Sequence, residues 1–229
     1  MISRAHQAAA LQIPAANVSS FVCAISAGVS VPVLLTSYPP TRDSPDLYHN
    51  VKLWEAGRAT SAASTFFEPI TIGPQDQTFV DGGTGANNPI QRLWNEAKDV
   101  FCDGSSTRMN KNLRTLVSIG TGVPDLKAFG DDVASLGKSL ISIATETEET
   151  ADMFLQDHSD LDEEGRYYRF NVPRGLASIG MEDAAEAPHV KDYTDAYLRP
   201  QHTYKALRMC AKSLGGPIVA ESEAIGQSV

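Results

Sequence analysis

The apolar positions of the chain follow two different periods. Apolar residues recur every three or four positions in five stretches, which predicts helices at residues 1–12, 47–63, 90–101, 132–157 and 190–214. Short apolar runs rich in β-branched residues predict strands at 78–80 and 113–119, and either two strands or one bulged strand at 21–25 and 31–35. Alternating residues predict a further, half-buried strand at 168–172. Because a strand, a glycine turn and a helix recur, the order predicts an α/β fold with a mainly parallel sheet.

Two of the predicted helices carry a clear apolar face. In the first, Leu47, Val51 and Trp54 share one side, and we expect that side to pack inward. The helix after Pro89 has the longest stripe of the chain, which predicts a full core-facing side made of Ile90, Leu93, Trp94, Ala97, Val100 and Phe101.

Composition and charge restrict the class of protein. The net charge of -9 and the absence of a basic cluster argue against a nucleic-acid partner, because a phosphate backbone needs a basic face. No apolar run approaches the roughly 20 residues that cross a bilayer. Three widely separated cysteines, Cys23, Cys102 and Cys210, lack metal-site spacing and are odd in number. We therefore expect buried thiols in a reducing compartment, which favours a cytoplasmic protein.

Neither a metal nor a cofactor is predicted. The acidic residues between Glu146 and Glu164 lack the alternating ligands and central glycine of a calcium loop, so a solvated helix face explains them better. The glycines at 82–85 and 120–122 do not have the spacing of a dinucleotide fingerprint or a P-loop. The histidines lie in predicted loops or on helix surfaces, without a nearby serine pattern that would mark a triad.

The candidate chemistry centres on the stretch from Phe79 to Ile90, FVDGGTGANNPI. An apolar strand leads into Asp81, glycines follow and free the backbone for positive φ, and then Asn88 can cap a helix that begins at Pro89. An acid at the carboxyl end of a strand lies where α/β sheets bind ligands. Asp-Gly-Gly is also an ordinary turn sequence, so Asp81 alone does not establish a catalytic site.

Four stretches, taken in order, resemble the later half of patatin-like phospholipase domains, especially the fungal ones. They are WEAGRATSAA at 54–63, FVDGG through NNP at 79–89, VSIGTG at 117–122 and YRFNVP at 168–173. The resemblance implies a three-layer α/β/α sandwich and a lipid acyl hydrolase that uses a serine–aspartate dyad. The resemblance assigns the role of general base to Asp81. It also identifies Gly82 and Gly83 as the adjoining substrate-binding or motif glycines. It also predicts that residues 1–215 form the C-terminal part of a single domain and that 216–229 form a flexible tail.

The nucleophile of such a dyad is absent from this sequence. The family motif Gly-x-Ser-x-Gly and a glycine-rich oxyanion loop do not occur; the nearest serines, Ser26 and Ser30, have alanine or proline at a required glycine position. Both also precede a strand-like segment, whereas a nucleophile elbow must enter a helix. We therefore expect the chain alone to be inactive, and we expect a missing N-terminal segment or a partner to cover an exposed sheet edge.

Two function classes follow from this pattern. The first is the base-bearing portion of a patatin-like hydrolase that acts on phospholipids or other acyl esters, with peripheral membrane contact as an added expectation. The second is a non-catalytic interaction or signalling module that retains a degenerate fold. A Gly-x-Ser-x-Gly motif in the preceding coding sequence would favour the first class.

Overall fold

The computed structural model describes residues 18–41, 45–63, 66–123, 134–176, 179 and 183–215. The helix predicted at 1–12 and the tail predicted at 216–229 lie outside these residues. The strands are β1 (Phe21–Ser26), β2 (Val31–Thr36), β3 (Ile70–Ile72), β4 (Gln77–Asp81), β5 (Leu116–Ile119) and β6 (Tyr167–Phe170). The helices are α1 (Pro45–Asn50), α2 (Leu53–Thr60), α3 (Gly83–Ala86), α4 (Ile90–Cys102), α5 (Ser106–Asn112), α6 (Ala134–Asp157), α7 (Ser159–Glu163), α8 (Ala187–Leu198) and α9 (Gln201–Gly215), with a 3-10 turn at Ala184–Glu186.

The described residues group into two compact units. The first lies within 1–109 and 129–157, and the second within 110–128 and 158–229. The first unit holds a four-stranded sheet in the order β2-β1-β4-β3, and the second holds the pair β5-β6. The mixed α/β class is therefore confirmed.

The direction of strand pairing differs between the two sheets. Every neighbouring pair in the four-stranded sheet is antiparallel, so the expectation of a mainly parallel sheet is wrong for the larger sheet. For two of the three pairs the reason is the length of the connection: β1 and β2, and likewise β3 and β4, are joined by four-residue turns, whereas parallel neighbours need a crossover of a dozen or more residues. The pair β5-β6 is parallel, as predicted, and a long connection separates its strands.

The core of the first unit lies between one face of the sheet and helices α1 and α2. Ala24, Leu35, Ile72 and Phe79 supply the sheet side of this cluster, and Leu47, Val51, Ala56 and Ala59 pack against them. Alternation along β1 and β4 places Ala24 and Phe79 on the same face, as their registers require. The small residues Ala56 and Ala59 let α2 approach the sheet closely.

The single helix predicted at 47–63 is two helices. The chain leaves α1 at Asn50 and starts α2 after Lys52, whose backbone N–H donates to Glu55 Oε2 at 2.8 Å. This break changes the rotation of the second segment, so Trp54 does not continue the face of Leu47 and Val51. Trp54 is 57 % exposed, which corrects its assignment to the core.

Helix α4 buries a narrower stripe than its sequence predicts. Ile90 and Trp94 are buried, but Leu93 and Phe101 are exposed. Trp94 meets Phe154 of α6 edge to face, with ring centroids 5.9 Å apart. The predicted stripe assumed cover along the whole helix, whereas α6 covers only the side that carries Trp94.

In the second unit, Tyr167 and Tyr168 are both buried, so β6 is covered on both faces rather than half-buried as predicted. Arg166 joins the segments before β5 and β6, because its Nη1 donates to the carbonyl oxygens of Asn110 and Leu113 at 2.6 and 3.0 Å. Helices α8 and α9 meet at Pro200, where the predicted interruption falls. In α9, Thr203 and Cys210 are buried.

Candidate functional site

Asp81 is the last residue of β4 and lies directly opposite Ala24 of β1. Because side chains alternate along a strand, the carboxylate projects from the same face as Phe79, one step beyond the apolar core. Asp81 is half-buried there. The strand end thus holds an acid at the margin of the core, where it remains accessible to another group.

Two hydrogen bonds hold Asp81 in place. The backbone N–H of Gly83 donates to Asp81 Oδ1 at 2.5 Å, and the backbone N–H of Asp81 donates to the carbonyl oxygen of Ala62 at 3.0 Å. Among the residues that the structure describes, none donates a hydrogen bond to Asp81 Oδ2. One carboxylate oxygen is therefore fixed by the turn, and the other is available to a proton donor.

Gly82 is required for close packing rather than for an unusual backbone conformation. Its φ is -71°, and a Cβ built at this position would lie 2.5 Å from the carbonyl oxygen and 2.8 Å from the Cβ of Cys23. A Cβ at Gly83 would lie 3.1 Å from Asp81 Oδ1. The expectation that the glycines of this turn provide positive φ holds only for Gly85, whose φ is +85°.

The turn continues directly into two helices. Asn88 Oδ1 accepts from the backbone N–H of Ile90 at 3.3 Å. The N-cap of α4 is Pro89, however, so the predicted N-cap at Asn88 is wrong by one residue. The Nδ2 atom of Asn88 donates to the carbonyl oxygen of Thr147 on α6 at 3.1 Å. The segment after Asp81 is thus held at both ends.

The serines near the sheet do not form a nucleophile elbow. Ser26 ends β1 and Ser30 lies in the turn to β2 with a φ of +53°, so both belong to a β-hairpin. Ser61 donates to the carbonyl oxygen of Gly57, and Ser64 lies outside the described residues. Arg58 donates to the carbonyl oxygen of Glu68 and is therefore engaged away from Asp81.

A polar cavity of about 220 Å³ opens beside the same turn, between the start of α4 and α6. Its walls carry Arg92 and Glu146 together with several amide and hydroxyl side chains, and Asp81 does not line it. Sequence reasoning missed this site. The available signal was the spacing of Gln91 and Asn95, which puts two amides on one side of α4, shortly after Asn88.

The three cysteines are free thiols and all are buried, as predicted. Burial raises the pKa of the Cys23 thiol, and the positive charge of Arg92 opposes that shift. Within the described part of the chain, no group of His, Cys, Asp and Glu side chains could hold a metal ion, and no helix is long and apolar enough to cross a membrane.

Comparison with known proteins finds phospholipases that are similar to parts of this chain. Residues 12–94 match the model of the patatin-like phospholipase family. The chain is 28 % identical over 186 residues to Patatin-like phospholipase 1 of Plasmodium falciparum, covering 74 % of this chain and 27 % of that protein. It is 34 % identical over 88 residues to the 85/88 kDa calcium-independent phospholipase A2 of rat and of mouse, covering 37 % of this chain and 9 % of each relative.

The chain spans about a quarter of the Plasmodium protein and about a tenth of each rodent protein. The family match covers β1 to β4, the turn after Asp81 and the beginning of α4. Residues 12–94 are therefore similar to part of a patatin-like phospholipase domain.

Proposed function

We propose that this chain is the base-bearing portion of a patatin-like lipid acyl hydrolase, in which Asp81 is the general base. In the proposed reaction, Asp81 takes the proton from the hydroxyl of a serine in a Gly-x-Ser-x-Gly motif, and this sequence does not contain that motif. The serine oxygen attacks the acyl carbonyl, and the leaving alcohol receives the proton from Asp81 as the acyl-enzyme forms. Asp81 then deprotonates a water molecule, which attacks the acyl carbonyl and releases the fatty acid; the proton returns to the serine.

The observation that carries the proposal is the position of the Asp81 carboxylate within the family-matched segment. A base must hold its orientation and still reach the nucleophile, and here one oxygen is held by Gly83 N–H while the other is not engaged within the described residues. The packing of Gly82 on Cys23 supports the same interpretation, because an ordinary turn does not need so close a contact.

The test compares the 229-residue chain with the chain extended by the coding sequence that precedes Met1. Both are assayed for release of fatty acid from phosphatidylcholine vesicles and from a short-chain p-nitrophenyl ester. We expect hydrolysis only from the extended protein. If that extension contains no Gly-x-Ser-x-Gly motif, or if both proteins are inactive, the proposal is wrong.

The role of Asp81 is tested by Asp81→Asn in the extended protein. Asn keeps an oxygen that can accept from Gly83 N–H but is not a base, so we expect kcat/KM to fall about 10²- to 10⁴-fold, the usual contribution of a general base. The matched control is Asp76→Asn. Asp76 is exposed in the turn before β4 and its φ of +50° suits Asn, so this variant should keep wild-type activity.

A further inference from the structure

The cavity between α4 and α6 is lined mainly by side chains that carry polar or charged groups. The cavity holds about 220 Å³, and most of its lining side chains are amides, hydroxyls or charged groups. Sites for drug-sized ligands are larger, from about 300 Å³, and are mostly apolar. A small polar group therefore fits this space better than hydrocarbon does.

The cavity lies where the contact between α4 and α6 changes from apolar to polar. Trp94 and Phe154 pack against each other, and one to two turns closer to the N-termini Asn87 and Asn88 contact Thr147 through hydrogen bonds. The two helices thus run in the same direction, with an apolar contact at one level and a polar gap at the next. Hydrogen bonds from both asparagines fix one wall of this gap.

The cavity carries two opposite charges that do not pair with each other. The guanidinium of Arg92 makes one hydrogen bond, from Nη2 to the carbonyl oxygen of Gly85 at 3.3 Å, and has no carboxylate partner among the described residues. Glu146 forms no ion pair in the same part of the chain. Its Oε1 lies 3.9 Å from the position of a Cβ built on Gly85, on the turn that follows Asp81. The cavity therefore offers separate sites for an anion and for a cation.

We infer that this cavity binds a headgroup that contains a phosphate and a primary ammonium, with the phosphate at Arg92 and the ammonium at Glu146. Arginine suits phosphate because its planar fork donates two hydrogen bonds at once, and the first turn of α4 adds partial positive charge on the same side. An ammonium carries N–H donors that a carboxylate can accept. A quaternary ammonium would need an aromatic cage, and the residues lining this cavity include no aromatic side chain.

This inference rests on the proposed function when the headgroup belongs to a substrate lipid, but the same chemistry is present in soluble O-phosphoethanolamine. The two sources can be separated by experiment. Isothermal titration uses O-phosphoethanolamine, phosphocholine and glycerol 3-phosphate. A flotation assay uses phosphatidylcholine vesicles with and without phosphatidylethanolamine.

We expect the chain to prefer O-phosphoethanolamine among the soluble ligands and to float more with the vesicles that contain phosphatidylethanolamine. Preference among the soluble ligands without preferential flotation would show that the ligand is a soluble phosphoamine, whereas no preference in either assay would overturn the inference.

Two substitutions test the two charges separately. Arg92→Gln should weaken binding of all three soluble ligands about 10- to 100-fold, which is the range for a hydrogen bond to a charged group. Arg92→Lys keeps the charge and should have a smaller effect. Glu146→Gln should remove the preference for O-phosphoethanolamine over glycerol 3-phosphate. The control is Arg108→Gln, because Arg108 is exposed and pairs with Asp103 elsewhere on the same unit.

The outcomes distinguish this inference from the proposed catalytic role. Asp81→Asn should leave headgroup binding unchanged, since Asp81 does not line the cavity. If Asp81→Asn abolishes hydrolysis but neither Arg92→Gln nor Glu146→Gln changes ligand preference, the headgroup site is refuted and the catalytic role stands. If binding follows both charges but the extended protein shows no hydrolysis, the site stands and the catalytic role is refuted. Urea unfolding of each variant confirms that a loss of binding is not a loss of fold.

Discussion

Gly82→Ala tests the packing that positions Asp81. An alanine methyl would lie 2.5, 2.7 and 2.8 Å from the carbonyl oxygen, carbonyl carbon and Cβ of Cys23, and two of these atoms belong to the backbone of β1. Carbon contacts are optimal at about 3.5–4.0 Å, so β1 and the turn must separate by about 1 Å. Because β1 is hydrogen-bonded to both β2 and β4, it has little freedom to move.

The expected cost follows from overpacking. Forcing one methyl group into a packed site costs about 1–3 kcal/mol, and the immobile backbone neighbour places Gly82→Ala near the upper end of that range. The entropic gain of Gly→Ala in the unfolded chain, about 0.4–1 kcal/mol, offsets only part of this cost. We therefore expect a net destabilisation of about 2 kcal/mol.

Urea unfolding followed by circular dichroism measures this change, with Gly57→Ala as the matched control. Gly57 lies within α2, is exposed, and has no atom within 4 Å of a built Cβ. The same substitution there should stabilise the protein by about 0.5–1 kcal/mol, since alanine is the better helix former. If Gly82→Ala is as stable as Gly57→Ala, the close contact with Cys23 does not exist and the geometry argued for Asp81 is wrong.

Two further predictions concern burial and charge. Trp94→Ala should destabilise the chain by about 3–5 kcal/mol, because Trp94 is 2 % exposed and packs on α6. Trp54→Ala should change the stability by about 0.5 kcal/mol or less, because Trp54 is exposed. Urea unfolding compares the two variants. The hydrogen bond that His189 Nδ1 donates to the Glu186 carboxylate raises the pKa of His189 above 6.5, so Glu186→Gln should lower this pKa in an NMR titration. In the wild-type protein, the His189–Glu186 pair stabilises the fold below pH 6.5, and this stabilisation is lost as pH rises through the raised pKa of His189 in the folded state.

The local structure of the chain could be predicted from its sequence much better than its pairing and burial. The strand before Asp81, the helix after Pro89 and the interruption at Pro200 follow from local periodicity and backbone chemistry, and all three are present. Strand direction depends on how the chain returns, and the four-residue turns of the first unit make two of its strand pairs antiparallel. Burial depends on which faces meet a neighbour, so Trp54 and Phe101 are exposed despite their apolar periodicity.

The candidate site shows the same division. Asp81 could be located because its environment is local: a strand, an acid and glycines that adjoin in sequence. The cavity could not, because Arg92 and Glu146 are more than fifty residues apart and meet only through the packing of α4 on α6. Glu146 also lies in an acidic run whose simplest interpretation is a solvated face.

The backbone of the turn after Asp81 connects Asp81 with the cavity. Its first part fixes the carboxylate through Gly83 N–H, and its last part, at Asn87 and Asn88, forms a wall of the cavity through hydrogen bonds to Thr147. Gly85 stands between them with a φ of +85°, which an L side chain rarely adopts. A ligand that orders the cavity wall therefore acts on the same short segment that holds the proposed base, with only a few residues of backbone between them. This arrangement explains why the glycines of the turn serve different purposes, close packing at Gly82 and a left-handed bend at Gly85.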